Sequence, residues 1–312
     1  MFEKYGLVYE NEDLKKHTTY KLDIKCKYLV MPDNIDNLIE LVKLLNKENI
    51  KYFIIGNGSN LIFANNYFDG VIIKLELLKN YNIDEKNLIL NTECGVYLPM
   101  LSSKLINEGY SGFEWCGGLP GEVGASIYNN AEAYKVPISS NLIDVTIFKN
   151  NKIITLKKED ITFGYRTSSF KENKDSIILS ARFKLERKDI DSMKELVKDR
   201  LKRRLDTQPL EYPSAGSTFR NPHINDYKEI FEKYNLPVNN DGFVPAGYII
   251  ESLGLKGKTV GGAMVSEKHA NFIINYNNAT GDDILKLIEL IKHKVKETYE
   301  IDLILEQEIV NI

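Results

Sequence analysis

The sequence has few cysteines and histidines, and neither type is clustered. The three cysteines, Cys26, Cys94 and Cys116, are odd in number, widely spaced and free of any Cys-x-x-Cys pair. Such usage argues against a disulfide framework. The four histidines are equally scattered, so no zinc-site spacing is recognisable. We therefore expect no metal centre, and we expect the chemistry to depend on an organic cofactor or on ordinary side chains.

Long apolar runs and a strong excess of one charge are also lacking. No apolar run approaches the roughly 20 residues that a membrane-spanning helix needs, and the first twenty residues are too charged for a signal peptide. The net charge of -3 gives no electrostatic reason to expect nucleic-acid binding. We expect a cytoplasmic protein that binds neither membrane nor nucleic acid, and no obligate protein partner is implied.

The composition is otherwise that of an ordinary globular protein. Of the 312 residues, 43% are hydrophobic and 27% are charged, which is enough apolar material to build a core. Helical and strand-like patterns alternate along the chain and predict an α+β or α/β fold. The length fits two or three domains, and we place their limits at residues 1–80, 81–188 and 189–312.

The spacing of apolar residues predicts the main helices and strands. Helical periodicity occurs at residues 35–45, 98–105 and 190–201 and again after Thr280. Thr280 and Asp283 have the spacing of a capping box. Strands are expected at residues 52–55, 61–63 and 301–312. The stretch between the third and fourth helices is rich in Gly, Pro, Ser and Asn, which is typical of loops.

A first glycine-rich turn follows the strand expected at residues 52–55. It reads Gly56-Asn57-Gly58-Ser59-Asn60 and leads into Leu61. Small residues let backbone amides approach a ligand closely, and successive N–H groups can form a concave nest for an anion. The third glycine of the dinucleotide-binding fingerprint is missing. Judged alone, the turn is more typical of a tight connection between two strands than of a phosphate site.

A second glycine-rich segment spans residues 117–126. It holds four glycines and a proline within eight positions, a composition that is hard to place in a helix or a central strand. A plain surface loop is the alternative, but Leu119 and Val123 are apolar and Trp115 lies just upstream. A loop that exposes its backbone beside an aromatic side chain suits a flat, phosphate-bearing cofactor. Two such loops favour a dinucleotide site more than either does alone.

These two loops and several later segments share one known pattern, in order and in spacing. The later segments are residues 163–170, 208–210, 212–222, 246–251, 254–257, 265–272 and 305–309. Together with the loops they resemble the UDP-N-acetylenolpyruvoylglucosamine reductases. The resemblance covers nearly the whole chain, and the uninterrupted stretch 208–269 is similar to the shorter, type II, branch of that family.

The resemblance implies a fold, a cofactor and a reaction. The fold is α+β: a vanillyl-alcohol-oxidase/PCMH-type FAD-binding fold with two α+β subdomains, plus a C-terminal α+β substrate-binding domain whose final strand returns to the active site. The reaction is the NADPH-dependent, FAD-mediated reduction of UDP-N-acetylglucosamine enolpyruvate to UDP-N-acetylmuramate, with hydride delivered to C3, in peptidoglycan synthesis. The implied FAD contacts are Gly56, Asn57, Gly58, Ser59, Asn60, Leu61, Gly118, Pro120, Gly121, Val123 and Gly124.

Three residues are implied to act in catalysis. Arg166 binds the substrate carboxylate and stabilises the charge that develops on it, Ser217 gives a proton to C2, and Glu308 orients Arg166 or shares a proton with the substrate. Without the family, these residues are typical of a surface salt bridge, a turn serine and an exposed strand residue. Period-two alternation puts Glu306 on the same face as Glu308, and only the family pattern selects Glu308.

The family pattern also implies contacts to the substrate outside the reacting group. These are Asn221, His269 and Arg220, the last for the UDP diphosphate. The basic run at residues 198–204 has acidic neighbours, and we interpret it as a solvated helix face.

Several positions depart from the family pattern. Asp23 and Ile24 stand where glycines are usual, Ala125 and Glu132 each replace a glycine, and Val310 replaces an arginine. Two alternatives therefore stay open: a non-catalytic UDP-sugar-binding relative that has lost its flavin, and another flavin oxidoreductase of the same fold. The intact catalytic positions favour the reductase, and neither glycine loop offers a His or Cys for covalent flavin attachment.

Overall fold

The computed structural model describes residues 1–311, which form a mixed architecture of helices and strands. The helices are α1 (Ile35–Lys47), α2 (Leu98–Asn107), α3 (Val123–Asn129), α4 (Ser169–Glu172), α5 (Ile190–Thr207), α6 (Ile224–Lys233), α7 (Ala246–Ser252) and α8 (Gly281–Tyr299). The longer strands are β1 (Gly6–Asp13), β2 (Lys25–Pro32), β3 (Tyr52–Ile55), β4 (Leu61–Phe63), β5 (Tyr67–Lys74), β6 (Tyr81–Asp84) and β7 (Ile89–Glu93) in the first third of the chain.

The remaining strands are mostly short. They are β8 (Tyr110–Ser111), β9 (Glu132–Ala133), β10 (Val136–Pro137), β11 (Leu142–Lys149), β12 (Lys152–Lys157), β13 (Phe163–Gly164), β14 (Thr167–Ser168), β15 (Ile177–Lys184), β16 (Glu186–Arg187), β17 (Thr259–Val260), β18 (Ala263–Val265), β19 (Ile273–Asn275) and β20 (Glu308–Val310). Within residues 1–311 no helix combines the length and the apolar character that crossing a membrane requires.

The chain forms two compact units, each assembled from separated stretches. Unit 1 contains Met1–Glu12, Cys26–Asn57 and Asp69–Arg204, and unit 2 contains Asp13–Lys25, Gly58–Phe68 and Leu205–Ile312. The domain limits expected from the sequence, at residues 80/81 and 188/189, stay a prediction.

Unit 1 has two main sheets. The first has the strand order β1-β2-β5-β3, with β3 parallel to β5. The second has the order β12-β11-β15-β7-β6, and its neighbouring strands are antiparallel. The turn from β11 to β12 is Asn150-Asn151, with φ of 50° and 58°. Asparagine tolerates the left-handed region, and two such residues match the twist of a two-residue hairpin.

Helix α1 confirms the helix expected at residues 35–45. The side chain of Asn34 accepts a hydrogen bond from the backbone N–H of Asn37 at 2.8 Å and thereby caps the first turn. Leu38, Val42 and Leu45 are buried in the core of unit 1. Burying this apolar face stabilises the helix more than its intrinsic propensity does.

Helix α3 begins at Val123, inside the second glycine-rich segment. The expectation that no helix would form there is therefore wrong for its last part, and the loop proper covers residues 117–122. The reason is packing, because a Cβ on Gly124 would lie only 2.8 Å from the Cβ of Cys94. The glycine lets the helix approach the core closely enough to outweigh its poor helix propensity.

Unit 2 contains the sheet β17-β18-β19 and the parallel pair β20-β4. Helix α8 packs against β17 and β18 and confirms the fourth expected helix. Its capping box is present: Asp283 N–H donates to Thr280 Oγ1 at 3.1 Å, and Thr280 N–H donates to Asp283 Oδ2 at 2.9 Å. Its apolar stripe is buried throughout: Ile284, Leu287, Ile288, Ile291 and Val295.

Two expectations for this part of the chain are wrong. Of the strand expected at residues 301–312, only Glu308–Val310 is a regular strand, and Ile312 lies outside the described residues. The region expected to be loops holds α6, α7 and β17 to β19. These elements are short and depend on tertiary contacts, so apolar periodicity carries little information about them.

Candidate active site

The two glycine-rich loops meet within unit 1. Asn57 Nδ2 donates a hydrogen bond to the carbonyl oxygen of Pro120 at 2.9 Å. A Cβ on Gly56 would lie 2.8 Å from Oε2 of Glu122 and 3.4 Å from the Cβ of Ala125. A side chain at position 56 would therefore displace the carboxyl group of Glu122, so the two loops pack closely there.

Glu122 is a buried acid between these loops that the sequence reasoning missed. The residue is only 4% exposed, and its Oε2 has no hydrogen-bond partner within residues 1–311. The pKa of Glu122 is raised to about 8, mainly by burial; Lys74 opposes this shift and Glu76 contributes to it. The only signal in the sequence was its charge, since a carboxylate is an unusual residue in a glycine-rich segment that is expected to bind an anion.

The rest of the first loop lies in unit 2. Gly58 has φ of 61°, and a Cβ there would lie 2.8 Å from the carbonyl oxygen of His17, so glycine is required on both conformational and steric grounds. The N–H groups of Gly58 and Ser59 donate to no backbone carbonyl within residues 1–311. Gly58 is buried and Ser59 is half-buried, and amides that donate to no backbone carbonyl are the groups with which a turn can bind an anion.

Asn60 and Leu61 connect the first loop to the C-terminal segment of unit 2. Asn60 Nδ2 donates to the carbonyl oxygen of Glu306 at 3.1 Å, and Glu308 N–H donates to the carbonyl oxygen of Asn60 at 2.9 Å. Leu61 is the register partner of Glu308 in the parallel pair β4 and β20. Asn60, Leu61 and the last strand are therefore fixed to each other within unit 2.

In the second loop, Gly118 is covered by α5. A Cβ on Gly118 would lie 2.8 Å from Leu201 Cδ2 and 2.9 Å from Arg204 Cδ. Burial lowers the pKa of Arg204, which is half-buried. The interpretation of residues 198–204 as a solvated face is thus wrong for Arg204. Pro120 and Gly121 also lie in the loop, while Val123 and Gly124 belong to α3.

Arg166 lies in the turn of the β13–β14 hairpin of unit 1. Its φ is 58°, which is uncommon for a residue with a side chain and typical of functionally constrained turns. Nη1 donates to the carbonyl oxygen of Glu132 at 2.9 Å, and the guanidinium carbon lies 5.7 Å from the ring centroid of Tyr165. Because the acceptor is a backbone carbonyl, the glutamate at position 132 can provide this contact as a glycine would.

The hairpin that carries Arg166 is attached to α3 and the residue that follows it. Asn130 Nδ2 donates to the carbonyl oxygen of Gly164 at 2.9 Å, and Ser168 Oγ donates to that of Tyr128 at 2.7 Å. Since α3 continues directly from the second glycine-rich loop, these bonds fix the arginine relative to that loop.

Ser217 follows a turn in unit 2 that Gln307 holds in place. The buried Gln307 donates through Nε2 to the carbonyl oxygens of Ala215 at 3.1 Å and Gly216 at 3.2 Å. Its Oε1 accepts from the hydroxyl of Tyr20 at 3.1 Å. Gly216 has φ of 75°, a conformation suited to glycine. Sequence reasoning missed Gln307 and Tyr20, because their partners are distant in the chain.

The C-terminal segment of unit 2 is irregular just before Glu308. Glu306 N–H donates to the carbonyl oxygen of Thr218 at 2.9 Å, and residues 306–307 form a bend ahead of β20. The expectation that Glu306 and Glu308 share a strand face is therefore wrong, because only Glu308 belongs to the strand. The same segment contacts both Thr218 and Asn60, so Ser217 and Glu308 lie on connected stretches of one unit.

The other expected substrate contacts surround the start of α7 in unit 2. Asn221 Oδ1 accepts a hydrogen bond from the N–H of Ala246 at 2.9 Å. A Cβ on Gly247 would lie 3.2 Å from Cε1 of His269, whose pKa is lowered by burial. The backbone N–H of Arg220 donates to the carbonyl oxygen of Ile304 at 2.8 Å. Asn221 and His269 therefore both lie next to the first turn of α7, and Arg220 directly precedes Asn221 in the chain.

The two units carry different chemical groups. Unit 1 offers a glycine-lined backbone surface, a buried acid and the guanidinium of Arg166. Unit 2 offers the hydroxyl of Ser217, the carboxylate of Glu308 and an imidazole. Among residues 1–311, no group of three or more His, Cys, Asp or Glu side chains is arranged to hold a metal ion.

Two family models match the chain. Residues 26–153 match an FAD-binding domain, and residues 208–310 match the C-terminal domain of UDP-N-acetylenolpyruvoylglucosamine reductase. These two matches confirm the expected combination of an FAD-binding fold with a C-terminal substrate-binding domain. Both glycine-rich loops lie within the first match, and Ser217 and Glu308 lie within the second.

Individual relatives agree with these models. The chain is 39% identical over 306 residues to the UDP-N-acetylenolpyruvoylglucosamine reductase of Fervidobacterium nodosum, covering 98% of this chain and 93% of the relative. It is 38% identical over 301 residues to that of Clostridium kluyveri, covering 96% and 92%. The crystal structure of the enzyme from Thermus caldophilus is similar, with a TM-score of 0.77, 26% identity and 98% of both chains covered.

Proposed function

Because the chain belongs to the UDP-N-acetylenolpyruvoylglucosamine reductase family, we propose that it reduces UDP-N-acetylglucosamine enolpyruvate to UDP-N-acetylmuramate with electrons from NADPH. It is an FAD-containing oxidoreductase of peptidoglycan synthesis. One observation carries the proposal: a single chain matches both domain models and keeps Arg166, Ser217 and Glu308 in the family's motifs. A role in cell shape, division and the cell cycle, and a location in the cytoplasm, are proposed with it.

The glycine-rich loops are the proposed binding surface for FAD. Support comes from the close packing at Gly56, from the lack of space for a side chain at Gly58, and from the N–H groups of Gly58 and Ser59, which donate to no backbone carbonyl within residues 1–311. When bound, FAD supplies the hydride that reaches C3 of the enolpyruvyl group. The residues proposed to hold it are Gly56, Asn57, Gly58, Ser59, Asn60, Leu61, Gly118, Pro120, Gly121, Val123 and Gly124.

Arg166 is the proposed partner of the substrate carboxylate. Negative charge spreads from C2 into this carboxylate as the alkene is reduced. A guanidinium stays protonated and can bind a carboxylate through two parallel hydrogen bonds. The bond from Nη1 to Glu132 fixes the side chain in advance, so little reorganisation is needed when the charge develops.

Ser217 is the proposed donor of the proton to C2. A serine hydroxyl is a weak acid, but an enolate-like carbon is a strong base, and transfer needs only close placement. The turn ahead of Ser217 is held by the two hydrogen bonds from Gln307. Glu308 is proposed to orient Arg166 or to share a proton with the substrate, and Arg220, Asn221 and His269 are proposed to contact the rest of the UDP-sugar.

The experiment that tests these roles separates the two half-reactions. Ser217→Ala should keep its flavin and should be reduced by NADPH at the wild-type rate. Its reoxidation by UDP-N-acetylglucosamine enolpyruvate should slow by about 10³-fold or more, because one proton transfer contributes roughly 10² to 10⁴. Stopped-flow recording of flavin absorbance measures both steps.

Ser214→Ala is the matched control, because it removes a hydroxyl three residues earlier in the same segment and should change neither rate. Normal reoxidation of Ser217→Ala would refute the assignment of the acid. Purified protein with no flavin absorbance would favour the alternative of a non-catalytic UDP-sugar-binding relative.

A further inference from the structure

A carboxylic acid lies where the proposed cofactor site should carry positive or neutral groups. Glu122 is in the second glycine-rich loop, and its Oε2 lies 2.8 Å from where a Cβ would stand on Gly56 of the first loop. The residue is 4% exposed, and this oxygen has no hydrogen-bond partner within residues 1–311. A buried carboxylate without a partner is costly, whereas a neutral carboxylic acid is tolerated.

The groups around Glu122 offset the cost of burying a negative charge only in part. Lys74 at the end of β5 favours the charged form of Glu122, but it is itself paired with Glu76 at 2.7 Å between Nζ and Oε2. Glu76 and burial both favour the protonated form, and only Lys74 opposes them. The thiol of Cys94 and the phenol of Tyr97 also interact with Glu122, and Arg204 acts on Tyr97. Cys94 and Tyr97 are uncharged at neutral pH.

We propose that Glu122 is a positioning residue of the FAD site: as a neutral carboxylic acid it separates the two glycine-rich loops, and once ionised it repels the diphosphate of the cofactor. The inference rests on the proposed function, since it requires FAD at these loops.

The direction in which pH changes the affinity for FAD follows from the linkage between proton binding and FAD binding. The pKa of Glu122 is raised by burial to about 8, so the acid is neutral at pH 7 and ionises as the pH rises through this value. A bound diphosphate raises that pKa further, because like charges oppose each other. Binding of FAD then takes up a proton at high pH, and its dissociation constant should rise by up to about tenfold per pH unit above about pH 8.

The test measures FAD release from the holoenzyme by ultrafiltration between about pH 6 and about pH 10. In wild type, free FAD should increase steeply above about pH 8. Glu122→Gln keeps the size of the side chain and cannot ionise, so its dissociation constant should stay flat and at the wild-type value for neutral pH. Glu76→Gln is the matched control. It should keep the pH dependence but move it to lower pH, because Glu76 favours the protonated form of Glu122.

Each outcome bears on the inference. If Glu122→Gln does not fold, the smaller and equally uncharged Glu122→Thr should give the same flat profile. A pH dependence in Glu122→Gln or Glu122→Thr as steep as in wild type would overturn the role of Glu122 and leave the proposed function intact. Wild-type protein that holds no FAD at any pH would overturn both.

Discussion

At the residue scale, the side chains that set the geometry around Ser217 are neutral and buried. Gln307 contacts two carbonyl oxygens of the turn before Ser217 and the hydroxyl of Tyr20. None of these contacts involves neighbours in sequence, so they cannot be predicted from the spacing of residues in a motif. The family motif identified Ser217 as a candidate, but it did not identify what holds it in place.

Gln307→Leu tests this support. The substitution keeps approximate volume but removes the hydrogen bonds of Gln307 to two carbonyl oxygens and to the Tyr20 hydroxyl, which costs about 1–3 kcal/mol. We expect flavin content and reduction by NADPH to stay normal, while reoxidation by UDP-N-acetylglucosamine enolpyruvate slows about tenfold or more. The two rates are measured by stopped-flow absorbance. A slowing of both half-reactions by the same factor would indicate a general structural defect instead.

Glu122 and Arg204 are also residues whose environment no sequence motif reveals. The sequence predicted an ordinary loop position for Glu122 and a surface position for Arg204, because burial cannot be seen directly in a sequence. Their altered pKa values come from desolvation inside unit 1. Residues of this kind become visible only when the elements around them are in place.

At the scale of single elements, long periodic segments were predicted well and short ones were not. Helices α1 and α8 were found because each shows several apolar residues on one face and a cap at its first turn. Helix α3 was missed because glycine has low helix propensity and here serves close packing on Cys94. The irregular segment before β20 was taken for strand, because its alternation resembles one.

The capping box of α8 allows a direct test at this scale. Thr280→Ala removes the oxygen that accepts from Asp283 N–H, and loss of such a cap typically costs about 1 kcal/mol. Urea unfolding of the purified protein should show this loss. Asp282→Asn in the same turn is the control: it removes only an exposed ion pair with Lys286 and should cost less than half as much. Equal losses would show that charge, not the cap, stabilises the turn.

At the scale of the whole molecule, the order of motifs carried more information than any single motif. Judged alone, the first glycine-rich loop is more typical of a tight turn, and the second could be a plain surface loop. The order along the chain of these loops and of the segments around Arg166, Ser217 and Glu308 identified the family. The domain models then confirmed it. The division into two units could not be predicted, because each unit is assembled from stretches that are far apart in the chain.

The reductase activity of the intact protein is the most direct test of the whole account. The measurement is NADPH oxidation by the purified yellow protein, with and without UDP-N-acetylglucosamine enolpyruvate, together with the amount of UDP-N-acetylmuramate formed. The account predicts sustained oxidation only when the enolpyruvyl substrate is present, with one product molecule for each NADPH consumed. NADPH oxidation that is indifferent to this substrate, or none at all by flavin-loaded protein, would contradict it.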